Sequence, residues 1–336
     1  MNDLTHNRSS TPRAWLLHGK RLGDANQLYA LARALNIPFE AKELRYNRLR
    51  RIRFLRGVRL TILSRDSRKL IEPPWPDLVI GVGYGSVHVA REIRRRSGDR
   101  TKIVQVGNPR TQVDDMDLVI TTPQYARPPA PNVLALPYAM GNPARAAAAT
   151  QQEQEWLQAY PKPIRLIAVG GPARYWRLDL DALSGAIDKL AKRSKSNGGT
   201  LIIVTSQRTT DSTKSFLVKR LTGEHQVLVD TFPRFAVLLA AADEIYVTAD
   251  SVSMISEAVL TGKPVGLVPI VRSTRGKIRR WLHRCGVVGH AVPDFPAFWR
   301  ALARQAMAGD VDSPVASTAQ DSVELAARAV RRLLQD

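Results

Sequence analysis

The chain has 336 residues, 44% hydrophobic and 24% charged, and its 50 Lys+Arg against 30 Asp+Glu give a formal net charge of +20. That length suits two domains of about 150 residues each, no run reaches the ~20 apolar residues of a bilayer span, and the polar stretch 1–13 lacks the apolar core of a secretory signal. A single cysteine, Cys285, excludes an intrachain disulfide framework and a multi-cysteine metal site, which makes a reducing, cytoplasmic setting the expectation.

The first half alternates short apolar runs with amphipathic segments, the grammar of an α/β domain with a parallel sheet. Residues 14–18 read as a strand, and 25–35 as a helix with Leu28, Leu31, Ala32 and Leu35 on one face. Gly19 and Gly23, in the connection between them, make a flexible turn that can approach an acceptor or a phosphate. Asp24 has two readings. It can act as a general base on an acceptor hydroxyl, or it can cap the helix, with Gln27 three residues on completing a capping box.

Between Arg45 and Lys69 the cations are Arg45, Arg48, Arg50, Arg51, Arg53, Arg56, Arg59, Arg65, Arg68 and Lys69, against one acid, Asp66. Apolar residues, among them Leu60, Ile62 and Leu63, alternate with them. Such a stretch suits an anionic membrane surface; it is equally a solvated helix and strand in a basic protein.

Residues 77–81 read as a buried strand, 86–96 as a helix, and 102–106, 117–121 and 133–136 as further strands. Gly81, Gly83 and Gly85 follow the first of these with spacing G-x-G-x-G, not the G-x-G-x-x-G of a dinucleotide site, so close packing of helix on sheet or an acceptor-facing loop is the expectation. Ser86 and His88 open the helix as possible acceptor contacts, although a lone histidine is commonly structural. Asp114, Asp115 and Asp117 form the one acidic cluster, and Asp114-Asp115 reads as the turn before a strand rather than as a metal site.

The Ala-rich run 141–150 and helix 151–158 lead to Pro161 and Pro163, where a second domain starts. The expected division is a polar tail 1–12, a first domain 13–145, a linker 146–162, a second domain 163–312 and a C-terminal helix within 313–336. The second domain repeats the grammar. Its strands fall at 166–169, 200–204, 226–229, 244–248 and 264–267, and its helices at 180–194, 213–221 and 234–241.

Three polar loops leave the carboxyl ends of these strands, the edge where open α/β sheets bind ligands. In the first, Gly170 and Gly171 allow a phosphate to come close and Arg174 can neutralise it. The second carries Thr205, Ser206 and Arg208. The third enters a short helix with Asp250 or Ser251 as its cap, offers the backbone amides of Ser251, Val252, Ser253 and Met254 to a phosphate, and places Glu257 within two turns. An ordinary strand–helix–strand unit with capping serines is the alternative.

These motifs together resemble the elongated-mitochondria (mitochondrial fission) family, whose members are read as glycosyltransferases. The likeness is carried by the segments 19–27, 76–81, 105–110, 170–172, 205–209 and 247–265, and spans residues 15–269. The layout is also similar to the GT-B glycosyltransferases, in particular the peripheral membrane enzyme that adds N-acetylglucosamine to the lipid-linked peptidoglycan precursor. The resemblance implies two Rossmann-like α/β domains with parallel sheets facing a central cleft.

It further implies a nucleoside-diphosphate sugar as substrate, with no cofactor and no metal. The second domain would hold the donor. Glu257 would bind the ribose, and the amides of 251–254 the diphosphate, with Gly170 and Gly171 opposite. The first domain would hold a lipid-linked or glycolipid acceptor near Gly19, Gly23, Gly83, Ser86 and His88, beside an anionic membrane surface met by the 45–69 segment. A nucleoside-diphosphate-sugar epimerase and a non-enzymatic fission or scaffold adaptor are the alternatives. Nucleic acid is disfavoured, because aromatics are only 6% and base stacking needs them.

Overall fold

The computed structural model describes residues 11–48, 60–111, 113–125, 127–141, 148–223, 225–287, 294–318 and 321–335. The chain divides into two compact units, 1–136 with 322–336, and 137–321.

In the first unit, strands β1 (Ala14–His18), β2 (Phe39–Glu43), β3 (Leu78–Val82), β4 (Lys102–Val106), β5 (Leu118–Thr121) and β6 (Val133–Ala135) form one sheet in the order β2-β1-β3-β4-β5-β6. Every neighbouring pair is parallel. Helices α1 (Leu22–Leu35), α2 (Arg65–Lys69) and α3 (Tyr84–Arg96) connect the strands. Trp15, Leu17, Val79, Ile93, Ile103 and Val119 pack into the core between them. The C-terminal helix, Ser322–Gln335, also belongs to this unit. It lies along α1, and its Arg331 Nη2 donates to the Ala34 carbonyl at 2.5 Å, where a cation suits the negative end of a helix.

Strand β2 has no apolar alternation to announce it: four of its five residues are exposed, as an edge strand allows. Two sequence expectations need correction here. Helix α1 begins at Leu22 with Arg21 as a cap that makes no side-chain bond, so Asp24 and Gly23 sit inside the first turn and neither the capping box nor the flexible Gly23 turn forms. Of the basic stretch, residues 49–59 lie outside the described residues. In the part that is described, Leu60, Ile62 and Leu63 are buried, so they build the first unit's core and are not available to a lipid surface. Arg68 there is occupied with backbone, donating from Nε to the Leu63 carbonyl at 3.1 Å.

The second unit begins at Pro137, ahead of the expected boundary. The reason is burial: Tyr138 is fully enclosed in this unit's core, and the Ala139 amide donates to Ser256 Oγ at 3.0 Å. The expected linker contains helix α4 (Gln151–Gln158), capped by a Thr150–Glu153 capping box. Glu153 is further held by Arg234 Nε at 2.7 Å, which fixes α4 to the unit.

Strands β7 (Ile164–Val169), β8 (Trp176–Leu178), β9 (Thr200–Thr205), β10 (Gln226–Val229), β11 (Glu244–Thr248), β12 (Pro264–Val268), β13 (Ile270–Arg272), β14 (Gly309–Asp310) and β15 (Val315–Ala316) follow. Between them run α5 (Leu180–Ser196), α6 (Asp211–Arg220), α7 (Phe235–Ala241), α8 (Val252–Val259), α9 (Thr274–Arg284) and α10 (Phe295–Arg304). The main sheet has the order β10-β9-β7-β11-β12-β14, parallel throughout. Strand β15 adds antiparallel to β12, and β8 pairs antiparallel with β13. Two apolar clusters cover its faces, one around Leu166, Ile245 and Phe298, the other around Ile167, Leu190 and Tyr246.

Candidate functional site

In the second unit the chain leaves β7 to build β9 and β10 on one side, then returns to build β11 and β12 on the other. The carboxyl ends of β7 and β11 therefore flank the topological switch point, where an open α/β sheet has its natural crevice. Gly170 and Gly171 follow β7 there, and Asp250 with Ser251 follows β11.

Asp250 organises this edge. Its side chain is 0% exposed and accepts from the Gly171 amide at 3.0 Å, from Thr248 Oγ1 at 2.7 Å and from Arg208 Nη2 at 2.8 Å. Thr248 Oγ1 in turn accepts from the Gly170 amide at 2.8 Å. Three donors, two from the loops after β7 and β9 and one from the end of β11, thus converge on one buried carboxylate, and each compensates part of its desolvation. The second loop is tied in by Thr209, whose Oγ1 reaches the Val169 and Gly170 carbonyls at 2.9 and 2.7 Å and accepts from the Ser206 amide at 2.9 Å.

This network corrects the reason for the paired glycines. A Cβ on Gly170 would overlap the Asp250 carboxylate, and one on Gly171 would overlap the Arg208 carbonyl. Tight packing of loop on loop, not open approach to a phosphate, requires glycine at both positions. Thr205 is likewise buried and occupied, its Oγ1 donating to Asp230 at 2.5 Å. Lys214 holds the same carboxylate, and these two donors keep Asp230 below the usual carboxylate range, Lys214 contributing more. Arg174 is exposed, its guanidinium over the Tyr175 ring at 5.3 Å.

The cap of α8 is Ser251, whose side chain accepts from the Met254 amide at 3.4 Å, while Asp250 stays in its network. Met254 is therefore spent on the cap. Val252 and Ser253 contribute the amides of the first turn, at the positive end of the helix. Ser256, at 1% exposure, donates to the Val252 carbonyl at 2.7 Å and draws the segment 139–141 against the helix. Glu257 lies on the same helix, half-buried, with its Cγ facing Gly141. Lys263, in the Gly262-Lys263-Pro264 stop, caps α7: its Nζ donates to the Leu239 carbonyl at 3.1 Å and the Ala242 carbonyl at 2.5 Å.

In the first unit the switch point falls between β1 and β3, so Gly19 and Gly83 flank it. A Cβ on either would meet no heavy atom within 4 Å, and Gly83, at φ 78°, needs glycine for its backbone. Asp24 in the first turn of α1 is half-buried. Burial raises its carboxyl above the ordinary value, and the nearby Arg21 charge only partly opposes this. Tyr125, on the turn after β5, is raised as well, first by burial and then by the charge of Asp24, against Arg110 and Arg21. Asp24, Tyr125, Arg21 and Arg110 thus share one electrostatic neighbourhood at the carboxyl edge of this sheet.

Ser86 does not face an acceptor. It is fully buried and donates to the Gly83 carbonyl at 2.7 Å, with Gln105 Oε1 at 3.2 Å. His88 packs edge-on against Tyr84, ring centroids 5.0 Å apart. The remaining glycines of the G-x-G-x-G run have packing reasons: a Cβ on Gly81 would crowd Ser86, and one on Gly85 would overlap the Tyr46 ring. In the acidic cluster, Asp115 pairs with Arg91 and Asp117 with Arg94, both on α3. Asp250, Thr209 and Tyr125 are the residues that sequence patterns did not single out as site residues.

Two Rossmann-like α/β units with parallel sheets define a GT-B-like fold. The UDP-GlcNAc 2-epimerase of Neisseria meningitidis, solved bound to UDP-GlcNAc, superposes with a TM-score of 0.53 at 12% identity, over 96% of this chain and 100% of that one. The spinosyn forosaminyltransferase SpnP superposes at 0.51 with 16% identity, over 97% and 95%. The profile of the Mitochondrial fission ELM1 family matches residues 22–332, and the chain belongs to that family. The Mitochondrial fission protein ELM1 of Arabidopsis thaliana is 28% identical over 233 residues, 60% of this chain and 53% of its own length, so the chain spans about half of that relative.

Proposed function

We propose that this protein is a glycosyltransferase that moves a sugar from a nucleoside-diphosphate donor, held by the second unit, to a membrane-associated acceptor of the cell-envelope glycolipid type. The observation that carries the reading is the switch point of the second unit, where the N-terminus of α8 and Glu257 stand beside a loop network locked by Asp250. The amides of Val252 and Ser253 and the helix dipole suit the diphosphate, and they stabilise it further as it departs with a full extra charge. Glu257, on the same helix, accepts hydrogen bonds from the ribose hydroxyls in this reading. Asp24 is the base in the first unit: a carboxylate with a raised pKa removes a hydroxyl proton more readily than an ordinary one. In this reading the amides and dipole of α8 meet the diphosphate charge, and no metal or cofactor is assigned. A cytoplasmic protein peripheral to the membrane is the corresponding location.

Calorimetric titration with UDP, GDP, ADP and dTDP tests this reading. Binding of one of them, weakened about tenfold or more by Glu257→Ala, is the expected result; silence across the panel overturns it. The fold likeness to UDP-GlcNAc 2-epimerases supports a second reading, epimerisation of the donor itself. Conversion of a nucleotide sugar without any acceptor would favour that alternative.

A further inference from the structure

Helix α9 is built inside out. Its sequence, TRGKIRRWLHR, places Ile278, Trp281 and Cys285, the residue that ends it, on one face by the 100° step of an α-helix. In a helix of a globular domain that face would turn inward. Here Ile278 is 55% and Trp281 63% exposed, and Val287, just beyond the helix, is 67% exposed. The side turned to the protein is that of Gly276, which is buried and sits so close to the Tyr175 backbone that a Cβ would overlap its carbonyl. Arg279 lies over the Tyr175 ring at 5.6 Å on the same side. A glycine contact and a cation on an aromatic ring therefore anchor the helix and leave Ile278 and Trp281 in water, with Leu282 half-buried beside them.

The rim of that apolar face is cationic. Arg275 lies to one side of Ile278 and Trp281, Lys277 and Arg284 to the other, and Arg280 beyond them; all four are exposed. From residue 273 to 293 the sequence contains no aspartate or glutamate. A second copy of the chain is a poor partner for such a surface, since each copy carries +20. A nucleic acid would pair with the cations and could stack a base on Trp281, but it would leave the aliphatic Ile278 uncovered. An anionic bilayer satisfies both parts: tryptophan and isoleucine enter the headgroup–acyl boundary while arginine and lysine meet the lipid phosphates.

We infer that α9 is a membrane-docking helix that lies in the plane of an anionic lipid surface, with Ile278 and Trp281 inserted and Arg275, Lys277, Arg280 and Arg284 around them. This inference stands apart from sugar transfer, because it is read with no donor or acceptor present. It is also separate from the 45–69 segment, which belongs to the other unit.

Cosedimentation of the full chain with vesicles tests it, comparing phosphatidylcholine alone with three parts phosphatidylcholine to one of phosphatidylglycerol. Binding should require the anionic lipid. Ile278→Ser with Trp281→Ser should weaken it at least about tenfold, and Lys277→Glu with Arg280→Glu and Arg284→Glu about a hundredfold. These side chains are on the surface, so circular dichroism and the melting temperature should be unchanged. No binding by the wild type overturns the inference. So does full binding by both α9 variants, including the case in which only Arg50→Glu with Arg53→Glu abolishes it. A loss confined to duplex RNA or DNA binding, with vesicle binding intact, overturns it as well.

Discussion

The carboxylate of Asp250 and the amide of Gly171, 3.0 Å apart, join the ends of β11 and β7 across the switch point of the second unit. Replacing Asp250 with alanine leaves the Gly171 amide, the Thr248 hydroxyl and the Arg208 guanidinium without their shared acceptor. Arg208 is half-exposed and finds water, so the cost falls on the buried donors left unsatisfied, about 1–3 kcal/mol. Asp250→Asn keeps an oxygen for Gly171 but not the charge for Arg208, and should cost less. Urea unfolding followed by a probe in the second unit distinguishes the two; an alanine variant as stable as the wild type would remove Asp250 from this role.

The glycine pair gives a second prediction. A Cβ at Gly171 overlaps backbone, the Arg208 carbonyl, so relief requires a loop to move. Gly171→Ala should destabilise by about 1–3 kcal/mol, the usual cost of overpacking. Gly19→Ala meets no neighbouring atom and serves as the neutral comparison. Melting temperatures of the two variants should differ accordingly.

Asp24 leads to an unusual pairing of effects. Its pKa is raised in the fold, so its ionised form is held at a cost near neutral pH, and that cost fades as the pH falls through the folded pKa and the group protonates. Asp24→Asn should therefore melt at or above the wild-type temperature while transfer falls about 10²–10⁴-fold, the contribution of a general base. Full activity in the asparagine variant would dismiss Asp24 as the base. Tyr125→Phe, which keeps the ring, should alter the pH profile of transfer without abolishing it.

Glu92 and Glu153 are two of the carboxylates whose depressed pKa values couple stability to acid pH. Hydrogen bonding from Arg95, aided by Arg96, lowers Glu92 from 4.5 to about 2, and Arg234 holds Glu153 well below the usual carboxylate range. Because both folded values are depressed, their stabilisation is fully present above about pH 4.5 and drains away as the pH falls toward 2. Glu153→Gln should flatten the loss of stability of the second unit over that window, and Glu92→Gln that of the first, when melting temperature is followed against pH.

Much of this architecture is legible in the sequence because buried parallel strands are largely apolar runs: β1, β5 and β9 fall where such runs do. Elements without a buried face leave no such trace. Strand β2 is an exposed edge, and α9 carries its apolar residues on the wrong side for a periodicity argument. The site shows the same division. The serine cap and Glu257 of α8 follow from local pattern, whereas Asp250, seventy-nine positions from Gly171, gains its meaning only once β7 and β11 lie side by side. Ser86 shows the converse: a polar residue opening a helix looks available until Gly83 and Gln105 occupy it.

The C-terminal helix has a consequence for synthesis. A chain leaving the ribosome completes the whole second unit, through residue 321, before the helix that packs along α1 emerges. The usual order, in which the N-terminal domain folds first, is thereby reversed for completion. The first sheet waits, its α1 surface uncovered, until residues 322–335 arrive. A chain released after residue 321 would present a finished second unit to a protease and an unfinished first one.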